Sequence, residues 1–255
     1  MLHLPPSYRV VAYGAVGSTN IEAGKLARDG AADGTVVWAE EQTEGRGRSG
    51  RTWTSPPGNL YLSLILRPDC APAQAAQLSF LPALALGDAL AELLPASAEI
   101  RFKWPNDVLL NGAKVAGILL EAEGTADARV RWVILGMGVN LRDHPPDTEM
   151  AATDVAAATG AAIEPAQLLE VLVGAIDRWR RRWEGDGFTP LREAWLARAK
   201  GLGEPIRVRL PRSTLHGRFA GLDGDGTLLL DTGEGAPVRI GAGDVFYAAP
   251  APATG

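Results

Sequence analysis

Between two apolar, β-rich runs, Ile100 to Leu110 and Ala113 to Glu121, stands the dipeptide Asn111-Gly112. A two-residue connection with the twist of a β-hairpin needs φ > 0 at both central positions. Asn and Gly adopt it at least steric cost, which makes this pair the strongest short hairpin signal a sequence carries. The chain is therefore predicted to fold back on itself here, drawing the Asp107 and Lys114 regions together.

A second feature lies between two further β-rich runs, Thr35 to Glu40 and Leu60 to Leu66. Gly45-Arg46-Gly47-Arg48-Ser49-Gly50-Arg51 alternates arginines with small residues, and Ser55-Pro56-Pro57-Gly58-Asn59 adds a turn-rich insert. Small residues let the backbone bend and approach a ligand, and the arginines suit anions. The loop is expected to join two neighbouring strands of one sheet. Gly/Arg segments also occur in disordered RNA-binding regions. A single short copy in a chain of net charge −5 argues for a small anionic ligand instead.

Along the chain, Arg9 to Tyr13 reads as a strand. Ser18-Thr19-Asn20 opens a helix that stops near Gly30, with Thr19 and Glu22 at the spacing of a capping box. Gln74 to Leu94 carries apolar residues at helical spacing and is predicted as one long core helix despite Pro82. Val130 to Val139 reads as a strand running into Gly136-Met137-Gly138-Val139-Asn140, where the glycines imply either close backbone approach to a ligand or tight strand crossing. Residues 143–160 form a loop region that could fold over a ligand. Pro165 to Trp183 is an amphipathic helix whose Arg178, Arg180, Arg181 and Arg182 form a solvated face complementing the C-terminal dipole, and a short helix spans Leu191 to Lys200.

Gly201-Leu202-Gly203 marks a change of character. Four short strands follow with Gly/Asp turns, a pattern of a small antiparallel barrel. Two domains are expected, 1–202 and 203–255. The second is small enough that its own core is marginal and must lean on the first.

With one cysteine, Cys70, no internal disulfide is available, and His3, His144 and His216 are too scattered for a zinc site. The N-terminal residues do not read as a secretory signal, and the most apolar window, Leu78 to Leu94, contains Pro82, Asp88 and Glu92. A cytoplasmic protein with no membrane and no nucleic-acid partner is expected.

Cations on a flexible loop (Arg46, Arg48, Arg51) and on a hairpin (Lys103, Lys114) suit a reaction that brings two anions together, because their repulsion must be offset before attack. Attack of a carboxylate on the α-phosphate of ATP is such a reaction and needs no protein nucleophile. From the residues alone, the sequence supports an anion-binding α/β enzyme.

Taken in order, Ser18-Thr19-Asn20, Glu41 to Trp53, Lys103-Trp104-Pro105-Asn106-Asp107, Lys114-Val115-Ala116-Gly117-Ile118-Leu119 and Gly136 to Asn140 resemble the biotin protein ligases over nearly the whole chain. The resemblance implies an α+β fold: a class II synthetase-like catalytic domain with a mainly antiparallel mixed sheet flanked by helices, plus an SH3-like C-terminal barrel. It implies formation of biotinyl-5′-AMP from biotin and ATP with Mg²⁺, then transfer of biotin to a lysine of a biotin carboxyl carrier domain of a biotin-dependent carboxylase. Ser18, Thr19, Asn20, Gln42, Arg46, Gly47, Arg48, Lys114, Gly117 and Ile118 would contact biotin. Arg48, Arg51, Trp53, Asn106, Asp107, Lys114 and Asn140 would face ATP and the adenylate. Lys114, Arg46, Arg48 and Asp107 would be catalytic, with metal ligands left unassigned.

Two departures stand out. Ser18 arrives with no room for the helix-turn-helix domain of repressor-type relatives, so a monofunctional ligase is expected. Asp244-Val245-Phe246-Tyr247-Ala248-Ala249 lacks the arginine that many relatives carry after the last strand, which argues against an ATP contact from the small domain. A lipoate or octanoate ligase or transferase of the same fold, and a non-catalytic biotin sensor, are the alternatives. A homodimer paired through a sheet edge is compatible with the chain.

Overall fold

A computed structural model describes residues 2–247. The first unit opens with β1 (Arg9–Val16), α1 (Thr19–Arg28), β2 (Thr35–Gln42) and β3 (Leu60–Leu66). Then come α2 (Pro72–Gln77), α3 (Leu81–Leu93), β4 (Ile100–Lys103), β5 (Asp107–Leu110), β6 (Ala113–Gly124) and β7 (Val130–Val139). Helices α4 (Val155–Thr159), α5 (Pro165–Asp186) and α6 (Thr189–Ala197) follow. The strands form one seven-stranded sheet in the order β1-β2-β3-β7-β6-β5-β4. β1 and β2 run parallel because α1 crosses between them, and every other neighbouring pair is antiparallel. This is the expected α+β architecture.

Every residue of β3 is buried, as both of its faces are covered. Leu60, Leu62, Leu64 and Leu66 point into the large core with α3 and α5, whereas Ile65 joins Val37, Ile134 and Trp132 under Ala23 and Ala27 of α1. Ser63 therefore also faces α1. The hairpin turn forms as predicted, with φ 50° at Asn111 and 87° at Gly112.

The second unit is a five-stranded antiparallel sheet, β11-β10-β9-β8-β12. Its strands are β8 (Pro205–Arg209), β9 (Thr214–Leu222), β10 (Leu228–Asp231), β11 (Val238–Ile240) and β12 (Asp244–Tyr247), one more than the four expected. Its buried Val208, Phe219 and Leu230 are continuous with the main core. Trp104 Nε1 donates to Gly226 O at 3.2 Å and Arg192 Nε to Leu222 O at 2.7 Å, so the small sheet does lean on the larger unit.

Three local expectations are corrected. The helix predicted over 74–94 is two, α2 and α3, because Pro82 lacks an N–H and sits in a first turn instead of an interior. No capping box forms at α1: the N-cap is Ser18, and the Thr19 hydroxyl turns to Gln42. Helix α5 runs on to Asp186, so the arginines are not in its last turn. Arg180 is largely buried and pairs with Asp33 and Glu184 at 2.7 Å each.

Candidate active site

A cavity of about 440 Å³ opens on the α1 face of the sheet, at the N-terminal end of that helix. Its floor is a trough made by missing side chains. Gly117 and Gly138 are register partners on β6 and β7. A Cβ on Gly138 would lie 2.3 Å from Trp53 Nε1, and one on Gly117 2.9 Å from the same indole. A Cβ on Gly136 would lie 2.1 Å from Asn20 Oδ1. The glycines thus seat Trp53 and Asn20, not a strand crossing.

One end of the trough is polar and tightly matched. Gln42 Oε1 accepts from Thr19 N (2.8 Å) and Thr19 Oγ1 (3.1 Å), and Gln42 Nε2 donates to Ser55 Oγ at 3.0 Å. Ser63 Oγ lies 2.8 Å from Thr19 Oγ1 and 2.5 Å from Asn20 Oδ1, and Asn20 Nδ2 donates to Glu121 Oε2 at 2.8 Å. Buried amides and hydroxyls with fixed partners present their remaining donors and acceptors in one orientation.

The other end is ionic. Lys114 Nζ is 2.6 Å and Lys103 Nζ 3.5 Å from the buried Asp107 carboxylate. In a regular β5–β6 ladder Lys114 would oppose Leu110 and project to the wrong face. Instead Val108 pairs with Ala116 and Leu109 with Lys114, which makes Val115 the extra residue of a bulge. The bulge places Lys114 on the face of Asp107 and 5.3 Å from the Trp53 ring centroid. It is fixed from behind, since Asn140 N donates to Val115 O (2.8 Å), Lys114 N to Ala151 O (2.8 Å) and Thr153 N to Lys114 O (2.9 Å). Burial pulls the Lys103 ammonium below the usual lysine range, against the opposing pull of Asp107.

The arginine loop covers this site. Arg46 and Thr52 form an isolated bridge, and Gly47 N donates to Arg51 O at 2.7 Å. A single 3-10 turn over Arg48–Gly50 closes its tip, with φ 55° at Ser49 and 74° at Gly50. Each arginine reaches a different wall. Arg46 Nη1 is 3.8 Å from Glu121 Oε1, Arg48 Nη1 donates to Asn106 Oδ1 at 3.1 Å, and Arg51 pairs closely with Asp244 of β12. Burial lowers the Arg48 guanidinium from its ordinary value, opposed by Asp244 and Asp107. Asn106 in turn donates to Ile118 O at 2.7 Å, and Asn140 Nδ2 to Thr153 O at 3.0 Å.

Every residue that the sequence assigned to biotin or to the nucleotide borders this one cavity, from Ser18, Thr19, Asn20 and Gln42 to Asn140. Among the cavity's residues that the sequence left without a role are Asp147, Glu149, Asp244 and Phe246. Ser63 and Glu121, which hold Asn20, were missed as well. Only Ser63 had a readable signal, a lone polar residue within Leu60–Leu66. Tyr247 packs on Gly201 under Lys200, 5.8 Å from its ring, and burial raises its phenol; Ala248 and Ala249 lie outside the described residues.

The Biotin/lipoate A/B protein ligase family model matches residues 16–140, and the Biotin protein ligase C terminal domain model matches 201–247. A biotin--[acetyl-CoA-carboxylase] ligase of Paracoccus denitrificans is 47% identical over 90% of this chain and 97% of its own. The chain belongs to the biotin protein ligase family. To the Bifunctional ligase/repressor BirA of Bacillus subtilis, this family member is 38% identical over 89% of the chain and 70% of that protein. The biotin protein ligase from Aquifex aeolicus in complex with biotin and ATP superposes with a TM-score of 0.77 at 27% identity, covering 93% of this chain and 97% of that one.

Among the described residues no helix of this family member is long and apolar enough to cross a membrane. Nor, among them, is any group of three or more His, Cys, Asp or Glu side chains placed to hold a metal ion. The one buried carboxylate at the ionic end, Asp107, already faces two ammonium groups, which does not suit a protein-built Mg²⁺ cage.

Proposed function

We propose that the chain activates biotin with ATP to biotinyl-5′-AMP and then transfers the biotinyl group to a lysine of a biotin carboxyl carrier domain. The observation that carries this reading is the bulge-placed Lys114–Asp107–Lys103 cluster, which lies across a glycine trough from a matched polar pocket and under an arginine loop. In the first step a carboxylate oxygen of biotin bonds to the α-phosphorus as the Pα–O bond to pyrophosphate breaks. In the second, the acceptor amine bonds to the acyl carbon, AMP leaves and the amine loses a proton. Neither step needs a protein nucleophile.

Ser18, Thr19, Asn20 and Gln42 hold the ureido ring, whose N–H and C=O groups need partners once buried, and Gly117 and Ile118 form the wall beside it. Lys114 lies between the carboxylate and the α-phosphate, where negative charge crowds during attack, and Asp107 orients it. Arg46, Gly47 and Arg48 close over the mixed anhydride and keep water from it. Arg51, Trp53, Asn106 and Asn140 border the nucleotide side. Mg²⁺ enters as part of the MgATP substrate, held mainly by phosphate oxygens and water.

The catalytic unit spans 1–202 and the SH3-like unit 203–255, in a cytoplasmic protein with no nucleic-acid partner. A homodimer would pair through a sheet edge such as that of β1, the terminal strand of the seven-stranded sheet, and sedimentation tests whether it forms. Biotin-dependent exchange of pyrophosphate into ATP, followed by streptavidin-detected label on a carrier fragment, tests the activity. Exchange driven by lipoate or octanoate instead would replace the substrate, and tight biotin binding without exchange would make the chain a sensor.

A further inference from the structure

Glu121 has no part in the ligand contacts or chemistry assigned above, yet it touches both the polar pocket and the arginine loop. It is two steps beyond Leu119 on the same face of β6, and Leu119 pairs with Gly136, the glycine on which Asn20 rests. One carboxylate oxygen accepts from Asn20 Nδ2 at 2.8 Å. The other faces Arg46 Nη1 at 3.8 Å.

The two contacts differ in kind. Asn20 is 5% exposed, and among the described residues two side chains orient its amide: Ser63 takes Oδ1 and Glu121 takes Nδ2. Without Glu121 the amide loses the partner that distinguishes its nitrogen from its oxygen, and the orientation it offers a ligand is no longer set. Arg46 and Glu121 are 53% and 39% exposed, so that pair is modest and salt-screened. It nevertheless ties the start of the loop to the strand that carries Lys114.

We infer that Glu121 is a positioning residue with two arms, one fixing the Asn20 amide toward the biotin ring and one holding the arginine loop down through Arg46. The biotin arm rests on the ligase reading above, whereas the loop arm does not. Because both arms share one carboxylate, a ligand that shifts Asn20 alters the hold on the loop. Glu121 touches no reacting atom.

Glu121→Gln separates the arms, since an amide oxygen can still accept from Asn20 but carries no charge for Arg46. Tryptic cleavage after Arg46, Arg48 and Arg51 in the ligand-free protein reads the loop directly. Loss of one exposed ion pair predicts cleavage up to about fivefold faster in Glu121→Gln, and added salt should bring the wild-type rate toward that of the variant. Trypsin sites elsewhere in the chain keep their wild-type rate. The biotin KM for exchange stays within about twofold in Glu121→Gln and rises about tenfold in Glu121→Ala with kcat little changed, as loss of one partner of a buried amide predicts. Unchanged loop cleavage in both variants would overturn the loop arm, and an equal KM in Glu121→Ala and wild type would overturn the biotin arm. Wild-type protein without biotin-dependent exchange would overturn the ligase reading and with it the biotin arm, and loop cleavage would still decide the other.

Discussion

Lys114 reaches Asp107, at 2.6 Å, only because Val115 is bulged out of the ladder between them. The ammonium is aimed by three things at once: the carboxylate, the Trp53 ring and the backbone bonds behind the bulge. A charge placed in advance acts on the transition state without reorganising. Lys114→Ala is therefore expected to lower biotin-dependent pyrophosphate exchange by about 10²–10³-fold with a modest loss of biotin affinity, the size typical of removing one electrostatic stabiliser. Unchanged exchange would remove Lys114 from the chemistry.

The glycine trough makes a steric prediction. A methyl group at Gly136 would meet Asn20 Oδ1 at 2.1 Å, and Asn20 is pinned by Ser63 and Glu121. Gly136→Ala should destabilise the fold by about 1–3 kcal/mol through overpacking and raise the biotin KM, read by thermal unfolding and exchange kinetics. Gly14, with nothing within 4 Å of its Cβ position, is the control at which Ala is tolerated. Equal effects at the two positions would mean that the trough does not hold Asn20.

The hairpin was readable because Asn111-Gly112 fixes its own backbone, whereas the mixed sheet was implied by the family resemblance and not by the apolar runs. The bulge was not, since nothing in Lys114-Val115-Ala116 differs locally from a regular strand; it is set by Asn140 and Ala151 from distant segments. Glu121 reads as an ordinary strand carboxylate until β6 and α1 are brought together. Pro82 was read as tolerated within a helix when it begins one, and Arg180 as solvated when Asp33, far away in sequence, draws it in. Apart from Pro82, which acts locally, what the sequence missed depends on long-range contacts.

Arg48 turns inward from the loop tip, partly buried, with its guanidinium on Asn106. It is the member of the arginine trio whose charge is most desolvated, and an acyl phosphate beneath it gains most from its charge. Arg48→Ala should speed escape of biotinyl-AMP, seen as label on bystander lysines mixed with the enzyme. Label confined to the carrier fragment would show that retention rests on other groups.

Asp244 links the loop to the small sheet, and that link depends on pH. Burial alone would raise its carboxyl, but bonds from Arg51 and Arg209 overcome this and hold it below the ordinary value of 3.8. The loop, β8 and β12 thus meet at the Asp244 carboxylate, and Arg209 forks onward to Glu149 at 2.6 and 2.8 Å, which ties in the 143–150 segment. A carboxyl that titrates lower when folded stabilises fully above its unfolded pKa, and this stabilisation is lost as pH falls through the folded one. Asp244→Asn should thus lower the unfolding free energy by about 1 kcal/mol at pH 7, as expected for a partly exposed pair. The gap should close as pH drops below 3.8. Urea unfolding of both proteins from pH 7 to pH 3 measures it; a gap that stays constant over that range would show that the Arg51–Asp244–Arg209 link adds nothing through charge.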